Sequence, residues 1–304
     1  MKISIIIPLY NKQNFIKRAV DSVLNQNFSK FELIIVNDGS TDNSFDVISN
    51  IVDHRIKIIN KTNGGVSSAR NQGIYEASYE WICFLDADDY WLPNHLEEII
   101  FLIENYSEAK IYSTLIQEKS KKYLKVIPNS FPENYEGYVE NYFNYAISNT
   151  IFHSSSVCIN KKSLIEINQF DEKITHGEDL DVWFKLLMKN KGAIKSVPTV
   201  IYDLTSENRA MKSYCNINRH LISKINFYRD DKIAGLNKYI DYFILRNAMQ
   251  YYFSKNKKDI IPIISSIKDK KSINKIWEYI YMEQLYFINS IFYKLYKKFK
   301  SKLK

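Results

Sequence analysis

The chain has 304 residues, three cysteines, five histidines and a formal net charge of +8. No apolar run approaches the roughly 18 residues that a membrane-spanning helix needs, and the first strand is predicted from Ile3, so neither such a helix nor a signal peptide is expected. The scattered cysteines, odd in number, imply neither a disulfide framework nor a zinc site, which fits a reducing compartment.

Apolar segments alternate with helical patterns through residue 85. Strands are predicted over residues 3–9, 32–37, 56–60 and 81–85. Helices follow the first three strands: one with Asn11 as its N-cap, one through residues 47–51, and one from Asn63 to about Ala77. Strands that alternate with helices predict βαβ units, and therefore an α/β fold with a mostly parallel sheet.

Polar side chains follow three of these strands, beyond the carboxyl ends where parallel sheets bind ligands. They are Tyr10, Asp38 and the acidic group that begins at Asp86. The pattern Asp86-x-Asp88 favours Mg²⁺ or Mn²⁺, because these hard cations take one or two carboxylates together with substrate phosphates. A solvated acidic loop is the alternative for this pattern by itself. Three polar features at one edge of the sheet favour a ligand site.

Five short motifs follow one another along residues 1–205. They are Ile5-Ile6-Ile7-Pro8-Leu9-Tyr10-Asn11, Val36-Asn37-Asp38-Gly39-Ser40-Thr41-Asp42, Gly64-Gly65-x-x-x-Ala69-Arg70-Asn71-x-Gly73, Phe84-Leu85-Asp86-Ala87-Asp88-Asp89 and Gly177-Glu178-Asp179-x-Asp181. In order and spacing they resemble the family 2 glycosyltransferases. The resemblance implies a GT-A fold, which is a Rossmann-like, mostly parallel sheet flanked by helices. It also implies transfer of a sugar from a nucleotide diphosphate to an acceptor hydroxyl, with inversion at the anomeric carbon.

The resemblance also assigns the side chains that hold the donor. Pro8, Tyr10 and Asp38 match the positions that hold the nucleobase and ribose, and a carboxylate can accept the N3–H of uracil. Arg70 matches an arginine near the nucleotide, and its planar fork suits phosphate oxygens. The alternative for Arg70 is a solvated helix arginine, and for Asp38 an ordinary turn aspartate.

The metal and the donor follow from the same resemblance. Asp88 is expected to be the main ligand of Mn²⁺ or Mg²⁺, and Asp86 is expected to contact the metal or the ribose. A metal that bridges the phosphates stabilises the leaving nucleoside diphosphate as a Lewis acid. The expected donor is a UDP-hexose or a UDP-N-acetylhexosamine.

The catalytic base is expected in the last motif, where a helix is predicted to begin. The family places the base on the aspartate of the Glu-Asp pair, which is Asp179 here, and Glu178 is the alternative. Glu178 and Asp181 lie three residues apart on another face, and either could orient the acceptor. Acidic residues in a first helical turn are also common because of the helix dipole alone. His176 is expected to be a hydrogen-bonding neighbour, not a metal ligand.

Charge divides the chain near residue 215. Residues 1–215 carry 23 basic and 27 acidic side chains, whereas residues 216–304 carry 19 basic and 7 acidic ones. Together with the family resemblance, this break predicts a glycosyltransferase domain over 1–215. The resemblance implies a nucleotide-binding half over 1–100 and an acceptor half over 101–215. A basic, aromatic helical extension is predicted over 216–304.

The end of this extension could lie on a membrane surface. Six lysines fall in the last eleven residues, and an aromatic and aliphatic stripe runs through residues 277–299. Such a segment can bind anionic lipid through charge and shallow burial, which predicts a cytoplasmic protein with a peripheral position on the inner face of the membrane. Packing on the catalytic domain or on a second subunit is the alternative. No nucleic-acid recognition motif accompanies the charge, so no nucleic acid is expected as a partner.

The chain departs from the family pattern after the expected base. Relatives often carry Tyr-Arg-x-His where this chain has Tyr202-Asp203-Leu204-Thr205. A late histidine contact to the diphosphate is therefore not expected, and Asn208 or Arg209 could substitute for it.

Three functional hypotheses follow. The first is an inverting, metal-dependent hexosyltransferase that acts on a surface glycan or a lipid-linked glycan. The second is a catalytically inactive domain that serves as a binding or scaffold protein, against which the intact Asp86, Asp88 and Asp179 argue. The third is a nucleotidyltransferase, which would carry a glycine-rich loop after its first strand, whereas residues 10–13 contain no glycine.

Overall fold

The computed structural model describes residues 1–127, 131–147, 150–206, 215–252 and 257–268. Its first four strands are β1 (Ile3–Leu9), β2 (Phe31–Asn37), β3 (Ile56–Asn60) and β4 (Trp81–Phe84). They pair in parallel in the order β3-β2-β1-β4. The parallel arrangement predicted for these strands is confirmed, with bounds within one residue of those predicted.

Three helices connect these strands: α1 (Ile16–Leu24), α2 (Ser44–Ser49) and α3 (Val66–Glu76). The prediction that Asn11 caps α1 is wrong, because the helix begins at Ile16 with Phe15 at the N-cap. Asn11 instead adopts a left-handed conformation with φ of 51°. Its side-chain oxygen accepts the Thr41 amide N–H at 2.8 Å, so its hydrogen bond joins two loops.

The remaining described elements extend the sheet and cover it. The strands are β5 (Tyr90–Trp91), β6 (Ala109–Lys119), β7 (Leu124–Val126), β8 (Glu136–Tyr138), β9 (Val157–Asn160) and β10 (Lys191–Asp203). The helices are α4 (His95–Asn105), α5 (Tyr142–Ala146), α6 (Lys161–Glu166), α7 (Glu178–Leu187), α8 (Leu236–Tyr252) and α9 (Lys257–Ser265). Strand β9 lies antiparallel between β4 and β6, whereas β10 runs parallel to β6. The sheet is therefore parallel in its first half and mixed beyond β4.

Hydrophobic side chains cover both faces of the first half of the sheet. In β1, Ile5 and Ile7 pack into one hydrophobic cluster and Ile6 into the other, and all three are fully buried. Helix α3 lies close to β1 at Gly73, where an added Cβ would come within 2.5 Å of the Ile6 Cγ2. Burial on both faces explains why the sequences of these strands are continuous apolar runs. Polar functional side chains are therefore expected at the strand ends.

The described part of the C-terminal extension packs on the rest of the chain. Tyr228 stacks on Phe184 of α7 with ring centroids 5.1 Å apart, and Tyr239 of α8 contacts Phe143 of α5 and Phe184. One hydrophobic cluster includes side chains from α5, α7, α8 and α9. The predicted domain boundary at residue 215 stays a prediction. The predicted membrane-binding segment, residues 277–304, lies outside the described residues. No helix among the described residues is both long and apolar enough to cross a membrane.

Candidate active site

Asp38 organises the loops at the ends of β1, β2 and β3. Its amide N–H donates to the Leu9 carbonyl at 2.8 Å, which continues the pairing of β1 and β2. Its carboxylate accepts the amide N–H groups of Gly64 and Gly65 at 2.9 and 2.8 Å, and Lys61 Nζ lies 2.7 Å from Oδ1. A carboxylate has about four acceptor positions, so Asp38 keeps acceptor capacity for a ligand beside these bonds.

Pro8 and Tyr10 lie at the same end of the sheet. Pro8 is inside β1 opposite Val36, and Tyr10 follows the strand with 46% of its surface exposed. An exposed ring beside the Asp38 loop is available to lie against a planar base.

Arg70 joins two of the predicted site carboxylates. The guanidinium is almost fully buried, with one terminal nitrogen 2.8 Å from the Asp86 Oδ1 and the other 3.1 Å from the Glu178 Oε1. Burial lowers the pKa of Arg70, but Asp86 and Glu178 outweigh burial and raise it above its usual value. Arg70 is therefore a fixed positive charge that links the end of β4 to the beginning of α7, and it is not a solvated arginine.

A second cation lies against Asp88. Lys12 Nζ is 2.7 Å from the Asp88 Oδ2 and 2.8 Å from the Ser206 Oγ. Arg18 donates to the backbone carbonyl of Asp88 and to the Asp203 side chain, each at 2.7 Å. These bonds join the acidic turn to the end of β10.

Asp86 and Asp88 are the side chains that could hold a divalent cation. Among the described residues, no group of three or more His, Cys, Asp or Glu side chains could hold a metal ion. Both carboxylates are part-exposed, at 29% for Asp86 and 18% for Asp88, and both already bind a cationic side chain. Two oxygen ligands of this kind fit a hard cation that takes its remaining ligands from phosphate and water.

Asp89 has no role assigned from the sequence, yet it is the fully buried member of the acidic group. Its carboxylate accepts the Ser155 hydroxyl at 2.5 Å and the Asp203 amide N–H at 3.0 Å. Burial, together with the negative charges of Asp86 and Asp88, raises its pKa well above the usual value. The sequence carries no signal for the Ser155 partner, because it lies 66 residues away on another loop.

Helix α7 presents the predicted catalytic carboxylates. Gly177 precedes the helix with φ of 79°, a left-handed conformation that glycine adopts without strain. Asp179 accepts the Leu180 amide N–H at 2.7 Å and lies 3.4 Å from the Ser154 hydroxyl. Burial and the neighbouring Asp179 raise the pKa of Glu178 to about 7, although Arg70 acts in the opposite direction.

Asp181 lies apart from these two carboxylates. Only 1% of it is exposed, and it accepts a short hydrogen bond from the Tyr228 hydroxyl. The hypothesis that Asp181 orients an acceptor is therefore not supported, because the carboxylate faces the packed side of α7. His176 contacts the Thr175 hydroxyl at 3.4 Å and stacks on His220.

His153 is a second residue that the sequence did not indicate. Its Nδ1 accepts the Ser155 amide N–H at 3.2 Å, and its ring meets Tyr202 edge-on at 4.8 Å. Burial lowers the pKa of His153, although the nearby Asp86 and Asp179 act in the opposite direction. The His153 ring therefore lies close enough to Asp86 and Asp179 for their charges to act on its pKa. The residues beside this histidine form no motif that could have indicated its position.

Residues 202–205, which differ from the family pattern, form the end of β10 and the turn that follows it. The Asp203 Oδ1 accepts the amide N–H and the hydroxyl of Thr205 at 2.9 and 2.6 Å, and its Oδ2 binds Arg18. Asp203 thus anchors the end of β10 beside Asp89. Asn208 and Arg209, the predicted substitutes for the late histidine, lie outside the described residues.

Comparisons with known proteins give a consistent result. A family model described as glycosyl transferase family 2 matches residues 4–170. An uncharacterized glycosyltransferase of Rickettsia bellii is 35% identical over 191 residues, which are 62% of this chain and 27% of that protein. Chondroitin synthase of Pasteurella multocida is 29% identical over 255 residues, which are 78% of this chain and 25% of that protein. The chain therefore spans about a quarter of the length of these two curated relatives.

One group of solved structures shares the fold. The crystal structure of S. aureus TarS 1–349 in complex with UDP-GlcNAc superposes with a TM-score of 0.74 at 19% identity. The superposition covers 91% of this chain and 84% of that chain. At this identity the likeness concerns the fold.

Proposed function

This chain belongs to glycosyl transferase family 2, and on that premise we propose that it transfers a sugar from a nucleoside diphosphate to a glycan hydroxyl, with inversion at the anomeric carbon. The family predicted from the sequence motifs and the α/β GT-A fold are both confirmed. The observation that carries the proposal is Arg70, which binds Asp86 at the donor end of the sheet and Glu178 at the beginning of α7. Through these two bonds Arg70 would join the two halves of a transferase site.

The proposed donor is a UDP-hexose or a UDP-N-acetylhexosamine. Tyr10 and the one remaining acceptor position of Asp38 would receive the base, and Pro8 lies at the same strand end. The complex of TarS with UDP-GlcNAc supports this choice through the shared fold. The proposed acceptor is a surface glycan or a lipid-linked glycan, and the likeness to chondroitin synthase supports a glycan acceptor.

Asp88 and Asp86 are the proposed ligands of Mn²⁺ or Mg²⁺. When bound, the cation would supply Lewis-acid stabilisation to the leaving diphosphate. The protein's own contribution is to hold these two residues in place. Arg18 donates to the backbone carbonyl of Asp88, and Arg70 binds the Asp86 carboxylate. Arg70 also adds a buried positive charge beside the place where negative charge develops.

Asp179 is the proposed base that takes the proton of the acceptor hydroxyl. Glu178 is held in an ion pair with Arg70, so its carboxylate is engaged by a charged side chain of the protein itself. Asp179 accepts from the Leu180 amide and the Ser154 hydroxyl, both neutral donors. Glu178 would then position Arg70, and the raised pKa of Glu178 keeps it as the alternative base.

The proposal is tested by a screen of nucleotide sugars for hydrolysis and transfer, in Mn²⁺ and in excess EDTA. We expect turnover of a UDP-sugar that EDTA abolishes. Asp179→Asn should keep donor affinity and lose turnover by on the order of 10²–10⁴-fold, as expected for a lost general base. Binding of UDP-sugar without any turnover would support an inactive binding domain instead.

Glu178→Gln is the matched variant for the base assignment. If the Glu178→Gln protein is inactive and the Asp179→Asn protein is active, the base is Glu178. Circular dichroism and donor titration of both variants separate loss of a catalytic group from loss of the fold.

A further inference from the structure

Lys12 is held firmly against one carboxylate of the acidic turn. Its amide N–H donates to the Ser44 hydroxyl at 2.8 Å, which fixes the backbone between β1 and α1. Its ammonium reaches the Asp88 Oδ2 at 2.7 Å and the Ser206 Oγ at 2.8 Å. Only 14% of the Lys12 side chain and 18% of the Asp88 side chain are exposed. The pair is therefore partly shielded from water, where charges interact more strongly than at the surface.

The other cations near the acidic turn bind elsewhere. Arg70 pairs with Asp86 and Glu178, and Arg18 donates to the backbone oxygen of Asp88, not to its carboxylate. Among the described residues, Lys12 is the one cationic side chain that forms an ion pair with the Asp88 carboxylate. That carboxylate is also the proposed main ligand of the divalent cation.

We propose that the Lys12 ammonium occupies the position on the Asp88 carboxylate where a divalent cation would bind, so that the cation binds by displacing this ammonium. The inference rests on the proposed role of Asp88. Two cations on one carboxylate repel each other, so the ammonium and the divalent cation compete for the same oxygens. Because its backbone is tied to Ser44, the displaced lysine stays near the site, where its charge attracts the donor diphosphate.

The proposal gives Lys12 two effects of opposite sign. With the competing ammonium removed, the protein should bind Mn²⁺ more tightly in the absence of nucleotide. With the positive charge removed, it should bind UDP more weakly in EDTA. General damage to the site would weaken both Mn²⁺ binding and UDP binding. Tighter Mn²⁺ binding together with weaker UDP binding therefore distinguishes competition by Lys12 from a purely structural role.

The experiment measures Mn²⁺ binding by electron paramagnetic resonance and UDP binding by calorimetry on the full chain. Lys12→Met should tighten Mn²⁺ binding by about two- to fivefold, on the order of the free energy of a partly exposed ion pair. It should weaken UDP binding in EDTA by a similar factor. Lys119→Met is the charge-matched control, because Lys119 lies 3.8 Å from Asp203 and does not bind Asp88. It should leave Mn²⁺ affinity unchanged.

A double-mutant cycle with Asp88→Asn completes the test. In that background, Lys12→Met should no longer improve Mn²⁺ binding, because the shared ligand is gone. If the Lys12→Met protein does not fold, Ser206→Ala is the alternative variant. It removes one hydrogen-bond partner of the Lys12 ammonium, so the ammonium is displaced more easily and Mn²⁺ binding should tighten by a smaller factor.

Several results would overturn the proposal. Unchanged or weaker Mn²⁺ binding by the Lys12→Met protein is one, and an equal gain in the Lys119→Met protein is another. A gain that persists in the Asp88→Asn background would also overturn it. Wild-type protein that transfers sugar without binding Mn²⁺ would refute the role of Lys12 and leave the proposed transferase function standing.

Discussion

Burial and neighbouring charges shift the pKa values of two carboxyl groups at this site, Glu178 and Asp89. Glu178 loses hydration and lies next to Asp179, and both effects raise its pKa, whereas Arg70 lowers it. The net pKa is about 7, compared with 4.5 for a free glutamate. The charge that Arg70 faces therefore changes near neutral pH. Burial and the charges of Asp86 and Asp88 also raise the pKa of Asp89.

The raised pKa of Glu178 predicts a pH dependence of stability. Between pH 4.5 and about 7 the folded protein keeps a proton that the unfolded chain releases, so this group stabilises the fold at pH 4.5 and loses that contribution as the pH rises. Glu178→Gln removes the titration. The wild-type free energy of unfolding, relative to the variant, should fall by on the order of 2 kcal/mol between pH 5 and 7.5. Urea unfolding at both pH values measures it, and parallel profiles would contradict it.

Among the secondary-structure elements, three segments meet at Asp89 beneath the acidic turn. It accepts from Ser155, in the short helical turn before β9, and from the amide of Asp203 at the end of β10. The Ser155 hydroxyl in turn accepts the Asp86 amide N–H at 3.2 Å. The position of Asp86 thus depends on elements that are distant in sequence.

Substitutions at Asp89 should separate hydrogen bonding from charge. Asp89→Leu leaves the Ser155 hydroxyl and the Asp203 amide unpaired in the core, which should lower the free energy of unfolding by about 3 kcal/mol. Asp89→Asn keeps one of the two acceptor oxygens and removes repulsion from Asp86 and Asp88, so its cost should be smaller, on the order of 1 kcal/mol. Denaturant unfolding at pH 7 compares the two variants. Equal destabilisation by both would mean that the negative charge itself is required.

Across the whole molecule, charge is distributed unevenly. Residues 1–215 have a slight acidic excess, and residues 216–304 carry 19 basic and 7 acidic side chains. The described part of the extension packs on α5 and α7 through Tyr239 and Tyr228. Six lysines fall in the last eleven residues, beyond the described part. We therefore keep the proposal that the end of the chain binds an anionic membrane surface.

Vesicle binding tests this proposal. The intact protein should float with anionic vesicles at low salt and dissociate at 1 M salt, where the Debye length is about 3 Å. Deletion of residues 290–304 should abolish flotation and leave transfer to a soluble acceptor largely unchanged. Neutral vesicles serve as the control. A truncated protein with a lower melting temperature, together with no vesicle binding by the intact protein, would indicate internal packing instead.

The family, the first four strands and the edge of the sheet that carries the candidate site can all be inferred from the amino-acid sequence. Continuous apolar runs mark strands that are buried on both faces, and polar residues directly after them lie at one edge because parallel strands share a direction. This reasoning identifies Tyr10, Asp38 and Asp86. It fails for Asn11, because the local cap signal competes with a bond to Thr41 in another loop.

Which charges meet depends on the tertiary structure. Arg70 and Glu178 are 108 residues apart, and Lys12 and Asp88 are 76 residues apart. Local periodicity carries no information on such pairs, because they depend on how loops from different strands converge at the edge of the sheet. The same holds for Asp89 and Asp181. Both lie next to other acidic residues in the sequence. In the structure, Asp89 accepts hydrogen bonds from two distant segments, whereas Asp181 is buried on the packed face of α7.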